Sequence, residues 1–244
     1  MGGLFDGTKN LEDIGEIYDR MGANCPNPSS TSERLWQKRH ARKIAPHNTR
    51  KETLLEKAAA MLAYNGYMRG WFNQCPTASG ITDSSRNRHS NVDLVHWDEI
   101  DKQARLVELK WESDDPLSAL RQVLGYGAVY VFCRVHENSL PLQKRSLMKA
   151  RHVSLEVAAP ARYYQGCQDL AGTIARMRQS LDKFDVGSRI DGLTMSLNAL
   201  AFPADFNELP FKNGEEVRLK CDTDYLTREG KIIRDAFNGL TPVF

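Results

Sequence analysis

The sequence predicts an α/β fold, a mixed β-sheet flanked by helices on both faces. Three observations predict it. From residue 50 onward the patterning runs helix, three strands, helix, strand, an order that packs best as a sheet covered by helices. Two alternating runs, "NVDLVHW" and "ARLVELKW", are joined by the polar "DEIDKQ", the signature of a hairpin. The chain has 244 residues, 41% hydrophobic and 26% charged, enough for a substantial core. One domain with elaborations is expected: a helical and basic extension over 1–47, a core over 48–165, and an α/β elaboration over 166–244.

Each element has a local reason. Leu11, Ile14, Ile17, Tyr18 and Met21 recur at helical spacing and predict a short amphipathic helix, followed by the turn-rich "NCPNPSSTS". Asn48 or Thr49 is positioned to cap a helix through "RKETLLEKAAAMLAYNG", whose alanines favour helix and whose Gly66 stops it. "YMRGWF" reads as the first strand, and "PTASGITDSSRNRHS" as a loop. After the hairpin, Asp115 as N-cap and Pro116 at the first helical position open a long helix. "HVSLEVAAP" is a strand ended by Pro160. A helix from about Gln168 to Phe184, a strand through "LTMSLNALAF", a short strand "EEVRLKC" and a closing helix before Gly239 complete the chain.

Composition narrows the function classes. No apolar run approaches the roughly 20 residues that span a bilayer, so no membrane partner is expected. The N-terminus lacks a secretory pattern, and its "MGGLFD" start has Gly7 where a myristoylation site wants Ser or Thr. Five scattered cysteines, without CxxC or zinc-finger spacing, fit a reduced cytoplasmic setting. His89 and His96 are isolated and read as surface or capping residues, though both fall near the hairpin. The formal charge is +2, yet "RLWQKRHARKIAPHNTRK" (Arg34 to Lys51) is basic and free of acids. Arg39, Arg42 and Lys43 can lie along phosphates there, with Trp36 adding stacking. A solvated helix face or loose arm explains the run equally well. Arg86 and Arg88, in the polar loop, are further candidates for nucleic-acid contact.

The chemistry centres on the hairpin. Alternate side chains of a strand share a face, so Leu106, Glu108 and Lys110 point one way and Val107, Leu109 and Trp111 the other. Pairing of the two strands brings Asp93 beside Glu108 and Lys110. Two close carboxylates repel unless a cation sits between them. Oxygen ligands of this kind suit Mg²⁺ or Mn²⁺, and a nearby lysine can orient the attacking water in phosphodiester hydrolysis. The triplet alone means little: with 31 acids and 13 lysines, acid-x-Lys arises roughly once or twice by chance, and Glu229-Gly230-Lys231 is a second instance. A hairpin with one wet face would also carry a Glu–Lys pair. Context adds weight: Gln122 and Tyr126 lie one turn apart on the following helix, Glu52 and Glu56 one turn apart on the preceding one.

Taken together, "ETLLEKAAAMLAYNGY", "NVDLVHW", "ARLVELKW" and "ALRQVLGYGAVY" resemble the PD-(D/E)xK nuclease superfamily over roughly residues 50–160, with a restriction-endonuclease-like αβββαβ core. The resemblance implies that Asp93, Glu108 and the Leu109 carbonyl bind Mg²⁺ (or Mn²⁺), with Glu56, or less readily Glu52, completing the site. It implies that Lys110 is the catalytic lysine, that Gln122 contacts substrate or water, and that Tyr126 packs or lines the cleft. Val92 stands where the family's name has proline, which is not a ligand. The expected function is endonucleolytic hydrolysis of DNA, with RNA a lesser prospect and a homodimer expected by analogy. The alternatives are a non-catalytic nucleic-acid-binding or assembly module of the same fold, or an antiparallel α+β interaction protein without an active site.

Overall fold

The computed structural model describes residues 12–24, 36–77, 91–112, 115–138, 140, 142, 144–221 and 228–244, with backbone only for 22–24. One six-stranded mixed sheet runs through it in the order β1 to β6: Trp71–Pro76, Asn91–Asp98, Gln103–Leu109, His152–Ala159, Thr194–Ala201 and Thr241–Pro242. β1, β2 and β3 form an antiparallel meander, β3, β4 and β5 are parallel, and β6 is antiparallel to β5. The parallel steps exclude the wholly antiparallel alternative. The last third of the chain adds β5 and β6 to the same sheet.

Helices cover both faces. On one, α1 (Ile14–Asn24), α3 (Pro116–Val135) and α5 (Leu170–Phe184) enclose a core with Ala104, Leu106, Val153, Leu155 and Leu197 of the sheet. On the other, α2 (Lys51–Tyr64), α7 (Gly214–Cys221) and α8 (Arg228–Asn238) pack over Leu94, Val107, Leu109, Ala158 and Phe202. Single turns α4 (Ala161–Tyr164) and α6 (Val186–Arg189) complete the helices. Leu106 thus joins one core while Val107, Leu109 and Trp111 join the other, the alternation expected of β3.

Local chemistry explains most boundaries. The Asp115 side chain accepts from the Leu117 and Ser118 amides at 2.8 and 3.3 Å and starts α3 as expected. Asp98 turns the β2–β3 hairpin by accepting from Ile100 and Asp101. Gly66, at φ +83, stops α2. Three expectations need correction. The cap of α2 falls at Arg50 without a side-chain bond, because Asn48 spends its oxygen on the Arg50 amide in a preceding turn. β1 begins at Trp71 rather than Tyr67: Gly70 holds φ +79, where a Cβ would lie 2.7 Å from the Trp97 carbonyl oxygen, and this bend, at which the Gly70 carbonyl still accepts from the Trp97 amide, keeps residues 67–69 out of the ladder. "EEVRLKC" is helix α7, not a strand. Asn213 caps it through the Glu216 amide, Val217 and Cys221 are buried one turn apart, and Leu219 is 67% exposed. Its alternation is a coincidence of one helical turn.

The basic run is a strap, neither a helix face nor a loose arm over its described part. Residues 36–41 run along the outer edge of β1: the Trp36 amide donates to the Pro76 carbonyl, the Asn73 amide to the Arg39 carbonyl, and His40 Nε2 sits 3.0 Å from the Trp71 carbonyl. The strap blunts an otherwise unpaired strand edge. Trp36 is 1% exposed, edge-on to Tyr130, so the expected stacking on bases is ruled out for this side chain.

Candidate active site

The site is built where β2 and β3 part. Their ladder runs from Asp98–Gln103 to Leu94–Val107. Beyond it a side chain takes over from backbone: Asp93 Oδ2 accepts from the Leu109 amide at 3.0 Å. Glu108, 4% exposed, points to the α3 side, where Lys110 Nζ lies 3.1 Å from Oε1 and the Tyr126 hydroxyl 3.0 Å from Oε2. Gln122 Nε2 donates to the same hydroxyl at 2.6 Å, so the two residues one helical turn apart act as one brace. The Asn91 carbonyl is 3.1 Å from that hydroxyl, a second acceptor for its single proton.

The two helix acids separate into different roles. Glu52 Oε1 accepts from the Trp111 amide at 3.1 Å, finishing β3 as it leaves the sheet. Glu56 is 7% exposed and near enough to Asp93 to act on its ionisation. Glu56 Oε1 accepts from Asn73 Nδ2 at 2.5 Å and lies 3.1 Å from Lys57 Nζ. Asn73 and Lys57 were not anticipated from sequence. The available signal was a polar residue at an inward position of β1 and a lysine beside the helix acid, and neither is informative until the strap is in place.

Electrostatically the site is short of positive charge. Burial, with Glu108 and Glu56 close by, holds the Asp93 carboxyl well above the usual carboxylate range. Burial also raises Glu108, opposed by Lys110, Tyr126 and Gln122. The Tyr126 hydroxyl is pushed well up by burial and by these acids, so it stays a proton donor. Among the described residues no three His, Cys, Asp or Glu side chains form a ready-made metal cage. Magnesium does not need one: it is commonly held by one or two carboxylates, with water and substrate phosphate filling its shell. An all-oxygen donor set with repelling, partly desolvated carboxylates fits such an ion.

The remaining candidates are dispersed. Arg39 is committed to the fold: Nε donates to the Gln74 carbonyl at 2.6 Å and Nη2 to Asn91 Oδ1 at 3.3 Å, tying β1 to β2 beside the site. The Arg42 guanidinium lies 3.6 Å from the Tyr64 ring centre, and Lys43 is exposed. Arg86, Arg88 and His89 lie outside the described residues. His96 packs on Trp71 and faces Arg105 across the β2–β3 ladder, away from Asp93. The four described cysteines are free, and burial pushes the Cys75 thiol up to about 12. Among the described residues no helix is long and apolar enough to cross a membrane.

Comparison of the chain with family models, curated proteins and solved structures finds no match. The functional reading therefore stands on the site itself.

Proposed function

We propose that the protein is a Mg²⁺-dependent endonuclease, hydrolysing phosphodiester bonds in DNA from a restriction-endonuclease-like αβββαβ core. The observation that carries this reading is the convergence of Asp93, Glu108 and Lys110 where β2 and β3 part, with Glu56 approaching from α2. A divalent ion bound to these carboxylates would screen the charge growing on a scissile phosphate and acidify water. The protein's own groups do the rest. Lys110 orients the attacking water or takes its proton, and its charge stabilises the pentacoordinate phosphate. Gln122 and Tyr126 hold Glu108 in one rotamer. Arg42 and Lys43 supply positive charge along the strap for the backbone of a bound duplex.

The order of elements also supports the reading: an acid-bearing helix, a three-stranded meander with Asp then Glu-x-Lys, a helix with Gln-x-x-x-Tyr, and a parallel fourth strand. The competing reading, a binding or assembly module of the same fold, leaves the charge imbalance at Asp93 without a use.

Cleavage of supercoiled and linear plasmid tests it, with Mg²⁺, Mn²⁺ or EDTA and beside Lys110→Ala and Asp93→Ala. Metal-dependent cutting that falls at least about a hundredfold in both variants is expected. A folded protein that binds nucleic acid but cuts neither duplex, single strand nor RNA would instead be the binding module.

A further inference from the structure

Asn73 is fully buried on β1, and all its polar capacity is directed. Its Oδ1 accepts from the Ala41 amide at 2.7 Å, and its Nδ2 donates to the Ala41 carbonyl at 3.1 Å and to Glu56 Oε1 at 2.5 Å. A carboxylate can only accept, so the amide nitrogen must face Glu56; flipping the amide would set two acceptors against each other. Lys57 completes the arrangement. Its Nζ donates to the same Ala41 carbonyl at 2.8 Å and reaches Glu56 Oε1 at 3.1 Å, with only 4% of the residue exposed. Successive residues of a helix do not normally face each other. Glu56 and Lys57 meet because the strap anchors Lys57 and Asn73 on one carbonyl, that of Ala41, and both then reach Glu56 Oε1. Both donors take Oε1, which leaves Oε2 as the oxygen for an outside ligand.

We propose that Asn73, assisted by Lys57, is a positioning residue that sets the Glu56 carboxylate for the divalent ion, with the Ala41 backbone of the strap as its brace. The inference rests on the metal-dependent reading above and goes beyond it, because it makes the basic strap part of the metal site's support. A group that orients a ligand from behind acts on metal affinity more than on the chemical step.

The test measures Mn²⁺ binding to the full chain, by calorimetric titration or by loss of the free-ion EPR signal, for wild type, Asn73→Ser and Lys57→Met. Plasmid cleavage is followed against Mn²⁺ concentration, and melting temperature in EDTA is recorded for each protein. For Asn73→Ser, which leaves the charge of the site unchanged, the Mn²⁺ dissociation constant should rise about tenfold, with turnover at saturating Mn²⁺ kept within about threefold. Lys57→Met removes a positive charge beside the ligand as well as a brace, so its dissociation constant should rise by less. If Asn73→Ser does not fold, Asn73→Thr, which also keeps the charge, is measured in its place. A lower melting temperature with unchanged Mn²⁺ affinity in the folded Asn73 variant would make the clamp purely structural and overturn this proposal alone. Wild-type protein that neither binds Mn²⁺ nor cuts would overturn the proposed function, and this inference with it.

Discussion

Strand β3 takes part in two acid–base pairs on opposite faces, each with a buried glutamate, and they differ in a way that separates architecture from chemistry. On one face Arg105 meets Glu156 of β4, with Nε 2.9 Å from both carboxylate oxygens and Nη2 2.8 Å from Oε2. A planar fork is matched to one carboxylate and then packed over Trp71. On the other face Lys110 meets Glu108 through one oxygen, while Asp93 and Glu56 stand close by. Counting Lys57 as well, three carboxylates share two ammonium groups. Both glutamates are 4% exposed, so burial does not distinguish them. What distinguishes them is charge balance. The first pair is closed, whereas in the second cluster burial, with Glu108 and Glu56 close by, holds Asp93 well above the usual carboxylate range, a strain that an added cation would relieve.

The sharpest way to break this comparison is to neutralise each glutamate in turn. Glu108→Gln should lower plasmid cleavage by about a thousandfold and leave melting temperature in EDTA unchanged or raised. Glu156→Gln should do the reverse. Cleavage should stay near wild type, and stability in urea titration should fall by about 2 kcal/mol, below the value for a fully buried pair because Arg105 keeps part of its guanidinium in water. Equal losses of activity in the two variants would erase the distinction. A smaller effect is expected at the brace: Tyr126→Phe removes the hydroxyl between Gln122 and Glu108, and should cost about tenfold in cleavage by loosening the carboxylate. Full activity in that variant would show that Glu108 needs only Lys110.

The smallest effect concerns pH. A carboxyl whose folded pKa is raised binds its proton more readily in the folded than in the unfolded state. The protein without metal is therefore most favoured below the ordinary carboxylate range, and loses that contribution as pH rises through the raised values. Asp93→Asn keeps an acceptor for the Leu109 amide and removes the charge. In EDTA its melting temperature should exceed that of wild type by a few degrees, roughly 2–4 °C per kcal/mol at this chain length, with a gap that widens as pH rises. A gap independent of pH would mean that Asp93 is not under electrostatic pressure.

What could be read from sequence was what depends on near neighbours along the chain. The hairpin with its polar "DEIDKQ" connection, the Asp115–Pro116 start of α3 and the Gly66 stop of α2 are each decided within a few residues, and the structure agrees. The hairpin also placed Asp93, Glu108 and Lys110 together, since strand alternation and a short turn leave little freedom. Where the local signal is ambiguous, reading failed: the alternation of Val217, Leu219 and Cys221 suits a strand as well as two turns of helix, and the Asn213 cap together with docking onto α2 selects the helix.

The sequence by itself determined the alternation of elements, the meander and the trio at its end. Tertiary structure decided the rest. Positive charge from Lys38 to Lys43 says nothing of where the chain lies, and its course along β1 depends on backbone pairing with residues 71–76. That course buries Trp36, commits Arg39 to the Gln74 carbonyl, and brings Ala41 to Asn73 and Lys57. It also separates Glu52 from Glu56, identical residue types one turn apart, one finishing a strand end and the other held beside Asp93. The reason is range: propensity, capping and alternation act over a few residues, whereas the partner of a buried polar group is set by which distant segment the fold brings to it.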